Sequence, residues 1–288
     1  MKSLGRVVAT AWLMVGVLPA LGAPVVLWET TGLSTPESAL PDPTGTFAYV
    51  SNINGNPTDK DGNGFISKVS LKDGKIIAPK WATGLDAPKG LALSDGQLFV
   101  SDIDRLVEID TATGEIVASY KAPGAKFLND VAADDRGHVY VSDSGTSTIW
   151  RLTDDRLEKW LDGPELKYPN GLLVQGDKLI VAAWGPTGED GTPAPANLLE
   201  ISLKDKSVRD LGDGSPVGNL DGIEPFDATS YLVTDWMAGK LFRIFASGKA
   251  EELLDLNQGS ADIGWMPKER LLLIPMMKDD KLVAYRVE

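Results

Sequence analysis

The sequence contains no cysteine, which excludes disulfides and thiolate metal sites and leaves the redox compartment to be read from other features. Basic residues are scarce beside acidic ones, 28 Lys and Arg against 41 Asp and Glu, for a net charge of −13. That balance argues against nucleic acid or an anionic membrane surface as a partner. A cation, or a substrate held through one, suits the field better, although acidic surfaces commonly serve solubility alone. No apolar run is long enough to span a bilayer comfortably, and no Gly-rich segment follows a strand-to-helix pattern, so a nucleotide loop is not indicated. What the chain does have is 43% hydrophobic and 24% charged residues, ordinary for a globular protein, with 30 Gly and 18 Pro that point to many turns. Its 288 residues allow one large domain or two small ones.

Lys2 and Arg6 precede an apolar run from Val7 to Leu18, which is followed by Pro19-Ala20-Leu21-Gly22-Ala23. This is the layout of a secretory signal, so residues 1–23 read as a leader and 24–288 as one domain. The alternative is an uncleaved N-terminal anchor. An exported, cysteine-free protein of this kind suggests a bacterial periplasm, with a small-molecule substrate, no membrane contact after cleavage, and a monomeric state.

The stretch Phe127 to Leu152, FLNDVAADDRGHVYVSDSGTSTIWRL, reads as three short strands joined by two tight turns. It recurs as PESALPDPTGTFAYVSNI from Pro36, PKGLALSDGQLFVSDIDRLVEID from Pro88 and PNGLLVQGDKLIVAAW from Pro169. Two later copies are LDGIEPFDATSYLVTDWMAGKLFRI from Leu220 and ADIGWMPKERLLLIPMMKDDKLVAYRV from Ala261. The second slot of each copy holds Glu37, Lys89, Asn129, Asn170, Asp221 and Asp262, spaced by 52, 40, 41, 51 and 41 residues. Such a period, with a fourth strand candidate after most copies, predicts an all-β, six-bladed β-propeller of four antiparallel strands per blade. The sixth copy has no fourth candidate. The spare strand Val25 to Thr30 is expected to supply it and close the ring.

Two copies carry insertions after their second strand, Asn52 to Gly64 and Gly185 to Asn197. In a meander that end shares a face with the start of the first strand, so the slots and both insertions are expected together on the face that builds the site. The slot side chains converge on the axis. Glu, Asp and two Asn carbonyl oxygens form a hard-oxygen set suited to Ca²⁺ or Mg²⁺. The bland alternative is that these residues are turn formers, which does not favour Glu37 after a proline.

The copies Pro36-Glu37, Asn129-Asp130, Pro169-Asn170-Gly171 and Asp221-Gly222 resemble the metal-site motifs of the senescence marker protein, gluconolactonase and regucalcin family, over essentially all of residues 25–288. The resemblance implies a divalent cation, Ca²⁺ first and Mg²⁺, Mn²⁺ or Zn²⁺ as alternatives, held by Glu37, Asn170 and Asp221. Asn129 would ligate it or orient a water or substrate. The implied activity is metal-assisted hydrolysis of a sugar lactone or related ester, with Asp221 as general base or nucleophile and Asp262 and Asp130 in reserve. Lys89 and Asp262 depart from the better-known lactonases; Lys89 would meet a substrate anion or pair with Asp262. Trp184 and Trp236 are candidate pocket walls or blade packing. A non-catalytic, metal-stabilised ligand-binding propeller is the competing class.

Other features carry less weight. Asp59-Lys60-Asp61-Gly62-Asn63-Gly64 resembles the start of an EF-hand loop, but Ser70 stands where the twelfth-position Glu belongs, so it reads as a hairpin loop. The single histidine, His138, follows the turn after a first strand and falls towards the opposite face, which argues against a histidine-based nuclease or quinone-dependent sugar dehydrogenase. Asp102, Asp143 and Asp235, recurring in VSD, VSD and VTD, read as caps of the second strand.

Overall fold

The structure is a computed structural model and describes residues 22–288. The leader reading over 1–23 therefore lies almost wholly outside the described residues. Alternating apolar and polar residues between turns build six four-stranded antiparallel sheets, the six blades expected from the repeat. Their innermost strands begin with Pro36–Pro41, Pro88–Ser94, Leu128–Ala133, Pro169–Gln175 and Leu220–Asp227, while the sixth is the shorter Gly264–Met266. Among the described residues the helical segments are single 3₁₀ turns at Pro164–Leu166 and Met277–Asp279.

The ring closes as the spare strand implied. Val25–Thr31 pairs antiparallel with Lys281–Arg286 as the outer strand of blade six, which covers that edge. Its Trp28 indole donates to the carbonyl of Leu71 at 3.3 Å, which ties the closure to blade one. The core lies between blades. Tyr140 and Trp160 from blade three, for example, pack with Leu172, Leu179 and Val181 from blade four.

One local device recurs and places the site. In five blades the pairing of first and second strands breaks its register at the slot, as between Pro36↔Asn52 and Ala39↔Val50. Each break is a β-bulge, which bends the strand and re-aims a side chain. The backbone N–H that leaves the ladder is taken up by a hydroxyl of the second strand: Ser38 N–H donates to Ser51 Oγ at 2.9 Å, Asp130 N–H to Ser142 Oγ at 2.9 Å, and Gly222 N–H to Thr234 Oγ1 at 2.9 Å. This explains the Ser or Thr in VSN, VSD and VTD.

The Asp that follows caps the incoming loop. Asp143 accepts the N–H groups of Lys126, Phe127 and Gly145, and Asp102 accepts those of Asp86 and Ala87. Asn52 does the same for Ser34.

Candidate functional site

At the slot face the channel opens into a cavity of about 480 Å³ lined by Glu37, Lys89, Asn129, Asn170 and Asp221, with Trp184 and Trp236 on its walls. Both insertions reach it, through Pro57 and Thr187. The four proposed ligand residues are buried, at 4% exposure for Glu37, 6% for Asn129, 2% for Asn170 and 4% for Asp221. Among the described residues Glu37 Oε2, Asn129 Oδ1 and Asn170 Oδ1 have no hydrogen-bond partner. Buried polar oxygens are nearly always satisfied, so three orphans on side chains of one cavity call for a donor or cation that the protein itself does not provide. The donor set therefore fits a hard divalent ion. Among the described residues no three His, Cys, Asp or Glu side chains gather as a metal site; this set instead combines two carboxylates with two carboxamides.

Electrostatics point the same way. Burial first, then the negative charges of Asp221 and Asp262, push the Glu37 carboxyl well above its usual range. Asp221 is raised by burial and by Asp262 and Asp235, against a hydrogen bond from Asn170. Opposite charge placed among such groups favours their ionised forms.

Lys89 does not pair with Asp262. Its ammonium donates to the carbonyls of Pro57 and Ala87, both at 3.0 Å, and lies 4.5 Å from the Phe127 ring centroid. Burial lowers its pKa to about 8, with Glu37 and Asp102 acting in the opposite sense. Lys89 thus anchors the blade-one insertion over the cavity.

The expected slot in blade six needs a correction. Ser260 pairs with Met276 as Pro36 pairs with Asn52, so Ala261 and not Asp262 occupies the position equivalent to Glu37. Thr234 Oγ1 donates to the Ala261 carbonyl just as Ser101 Oγ donates to that of Asn129. A slip of one residue sends a strand side chain to the other side. Asp262 accordingly shares the position of Ser38 and Asp130, accepts a 2.5 Å bond from Ser38 Oγ, and lines a second cavity of about 260 Å³ with Asp130 and Glu224. Neither reserve carboxylate lines the site cavity. Asp130 is engaged by the N–H groups of Val131 at 2.7 Å and Leu172 at 2.6 Å.

In this second cavity burial holds Asp262 at about 7, and burial with the charge of Asp262 raises Glu224 to about 8. Unfolded carboxyls lose their protons near pH 4, so at higher pH the folded state binds more protons than the unfolded one. Their contribution is complete below that range and is lost as pH rises through 7 and 8. Thermal melts in chelator should show Tm falling from about pH 5 to 8 and levelling above that; a flat or rising profile over about pH 5 to 8 would contradict the assignment.

The remaining sequence features take structural places. His138 Nδ1 lies 2.8 Å from Asp134 Oδ2 at a hairpin turn, and His138 does not line the site cavity. Asp61 accepts from Asn63 within its own loop, Lys60 pairs with Asp104 at 2.5 Å, and Gly62 N–H reaches Asp86, so the EF-hand-like run is a hairpin loop stitched to blade two. Sequence reasoning missed Phe127, Tyr168, Ser144, Ile53 and Met277 as lining residues. The position directly after each second strand, read across the copies as Ile53, Ile103, Ser144, Trp184, Trp236 and Met277, is the signal that could have found three of them.

Comparison with known proteins supports the architecture. The NHL repeat profile matches residues 127–152. A 110-residue stretch, 37% of this chain, is 31% identical to peptidyl-glycine alpha-amidating monooxygenase of Mus musculus, and the chain spans 11% of that protein's length. Among solved structures, a streptogramin B lyase superposes with a TM-score of 0.62 at 14% identity, covering 93% of this chain and 98% of that one. The calcium-binding protein regucalcin of Agrobacterium tumefaciens superposes with a TM-score of 0.63 at 15% identity, covering 92% and 93%. A catalytically inactive histidine-to-alanine variant of virginiamycin B lyase from Staphylococcus aureus, with quinupristin, gives a TM-score of 0.60 at 15% identity, covering 93% and 99%. At these identities the likeness is one of fold.

Proposed function

We propose that this chain is an exported hydrolase of the regucalcin and gluconolactonase type, acting as a monomer in the periplasm and using one divalent cation to cleave a lactone or related ester. The observation that carries the reading is the set of orphaned buried oxygens on Glu37, Asn129 and Asn170, side chains that line one cavity with the Asp221 carboxylate.

Glu37, Asn129, Asn170 and Asp221 would hold the ion, with Asn129 able to turn its carboxamide to substrate instead. Their oxygens suit Ca²⁺ first and accept Mg²⁺, Mn²⁺ or Zn²⁺. A bound divalent cation supplies electrophilic polarisation of a carbonyl oxygen. The chain's own residues supply the rest. Asp221 takes a proton from water as the water oxygen bonds to the acyl carbon; the acyl C–O bond then breaks, and the proton passes to the departing alkoxide. For a lactone the product is one ring-opened hydroxy acid. Lys89, fixed by two carbonyls, holds a positive charge near Glu37 and keeps the insertion closed over the reacting groups.

The lyase whose histidine variant is inactive marks a contrast. The one histidine here is engaged with Asp134 away from the cavity, which favours a carboxylate over an imidazole as base. The calcium-binding description of regucalcin is also compatible with a ligand-binding propeller that the cation only stabilises. Purified protein stripped with chelator, then reloaded with each cation and assayed on lactones and esters, separates the two. Cation-dependent turnover supports the hydrolase; cation-dependent melting without turnover of any ester supports the binding propeller.

A further inference from the structure

Above the ring of oxygen donors the cavity changes character. The residues that leave the second strands are Ile53, Ile103, Ser144, Trp184, Trp236 and Met277, and those of them that line the cavity form a collar. Five of these six are apolar, and all but Ile103 line the cavity. Ile103 is buried against Ile53 and Ala87. Phe127 and Tyr168, which lead into blades three and four, fill gaps between collar positions.

Part of the collar's polar edge is already occupied, while the Trp184 indole N–H and the Tyr168 hydroxyl remain the few polar groups it offers. The Trp236 indole N–H points at Met277 Sδ at 3.2 Å, and the Trp184 carbonyl accepts from Asn219 at 2.7 Å. The two indoles touch with ring centroids 6.0 Å apart, so they make one continuous wall. Tyr168 reaches the cavity from a backbone φ of +60°, a conformation that bulky residues avoid and that the surrounding structure must impose. Its N–H is held by Ser147 Oγ at 3.1 Å. Among the described residues no arginine lines the cavity, and the one cation that does, Lys89, is committed to two carbonyls.

A sugar lactone carries a hydroxyl on nearly every ring carbon, more than the few polar groups of these walls can partner, so most would lose their water uncompensated. An apolar ring or alkyl chain would lose nothing and gain the collar's surface. Taking the hydrolase reading as given, we infer that the substrate is an uncharged, apolar lactone or aryl ester, gripped by Phe127, Tyr168, Trp184, Trp236 and Met277, and not a sugar lactone. The scissile carbonyl sits at the oxygen ring and the apolar remainder in the collar.

The test uses the full chain loaded with Ca²⁺ and two readouts. In turnover, dihydrocoumarin and alkyl-substituted γ-lactones of increasing length are compared with glucono-δ-lactone. The expected result is a kcat/KM at least about 100-fold higher for the apolar compounds, rising about fourfold with each of the first added methylenes. Gluconolactone turned over as well as or better than the apolar compounds would overturn the inference. In binding, calorimetric titration compares dihydroquinolinone, the unreactive lactam of dihydrocoumarin, with gluconolactam. The apolar lactam should bind more tightly, lose about tenfold or more in Trp236→Ala, and recover in Trp236→Phe. Each variant must keep the cation-induced rise in Tm, which shows that the ring is intact. Should no ester be hydrolysed while the apolar lactam binds through Trp236, the hydrolase reading fails and the ligand class stands. Failure of the apolar lactam to bind, or binding that Trp236→Ala leaves unchanged, removes the inference itself.

Discussion

Asp221→Asn lowers kcat/KM on the best ester by about three orders of magnitude and abolishes the cation-induced rise in Tm. Two roles of one buried carboxylate account for the size of the effect. Loss of a positioned general base alone costs about 10²- to 10⁴-fold, and the change also leaves Glu37 as the sole carboxylate among the proposed ligands. The stability of the cation-free protein moves in the opposite direction. Asp221 is buried near Glu37, Asp262 and Asp235, and an isosteric carboxamide relieves that repulsion and the desolvation of a charge. Cation-free Tm should therefore stay level or rise while activity collapses. This opposition separates a lost site from a lost fold, and a variant that melts lower in chelator with activity retained would contradict both roles.

Gly171→Ala has the largest expected effect on folding. A Cβ at this position would overlap the backbone carbonyl of Asp221, and it would also crowd the Ala182 methyl at 3.2 Å. The obstacle is backbone of the next blade and cannot swing aside, so blades four and five must separate around the residue that carries the proposed base. Overpacking of this kind costs about 3 kcal/mol, and the variant should melt several degrees lower with activity reduced well beyond its folded fraction. Gly222 is constrained alike, with the Asp262 Cα at 2.7 Å from its added Cβ. Wild-type stability in Gly171→Ala would show that the blades are not held this closely at the channel.

The two glycines also show why so much was legible in the sequence. A propeller repeats one strand plan, and every blade must solve the same steric and hydrogen-bonding problem at its innermost strand. The solutions therefore recur at intervals of 40 to 52 residues in most blades: the slot residue, the second-strand hydroxyl of Ser51, Ser101, Ser142 and Thr234, and the capping Asp102, Asp143 and Asp235. That repetition made the fold, the ring closure by Val25–Thr31 and the gathering of Glu37, Asn129, Asn170 and Asp221 readable from spacing.

Blade six was misread by one residue because Ala261-Asp262 mimics Leu220-Asp221, and only the Ser260↔Met276 pairing sets the register. The partners of Lys89 were not legible, since the Pro57 carbonyl belongs to an insertion with no repeat to copy. Tyr168 was equally hidden. A left-handed residue before a proline leaves no periodic trace, yet it supplies part of the apolar wall.

The proposed chemistry requires one cation at the centre of the ring. Crystals of the full chain soaked in Mn²⁺ and measured for anomalous scattering test this directly. One strong peak among the side-chain oxygens of Glu37, Asn129, Asn170 and Asp221 is the predicted result. No peak at that position, or a peak confined to the Asp59 to Asn63 loop, would contradict it.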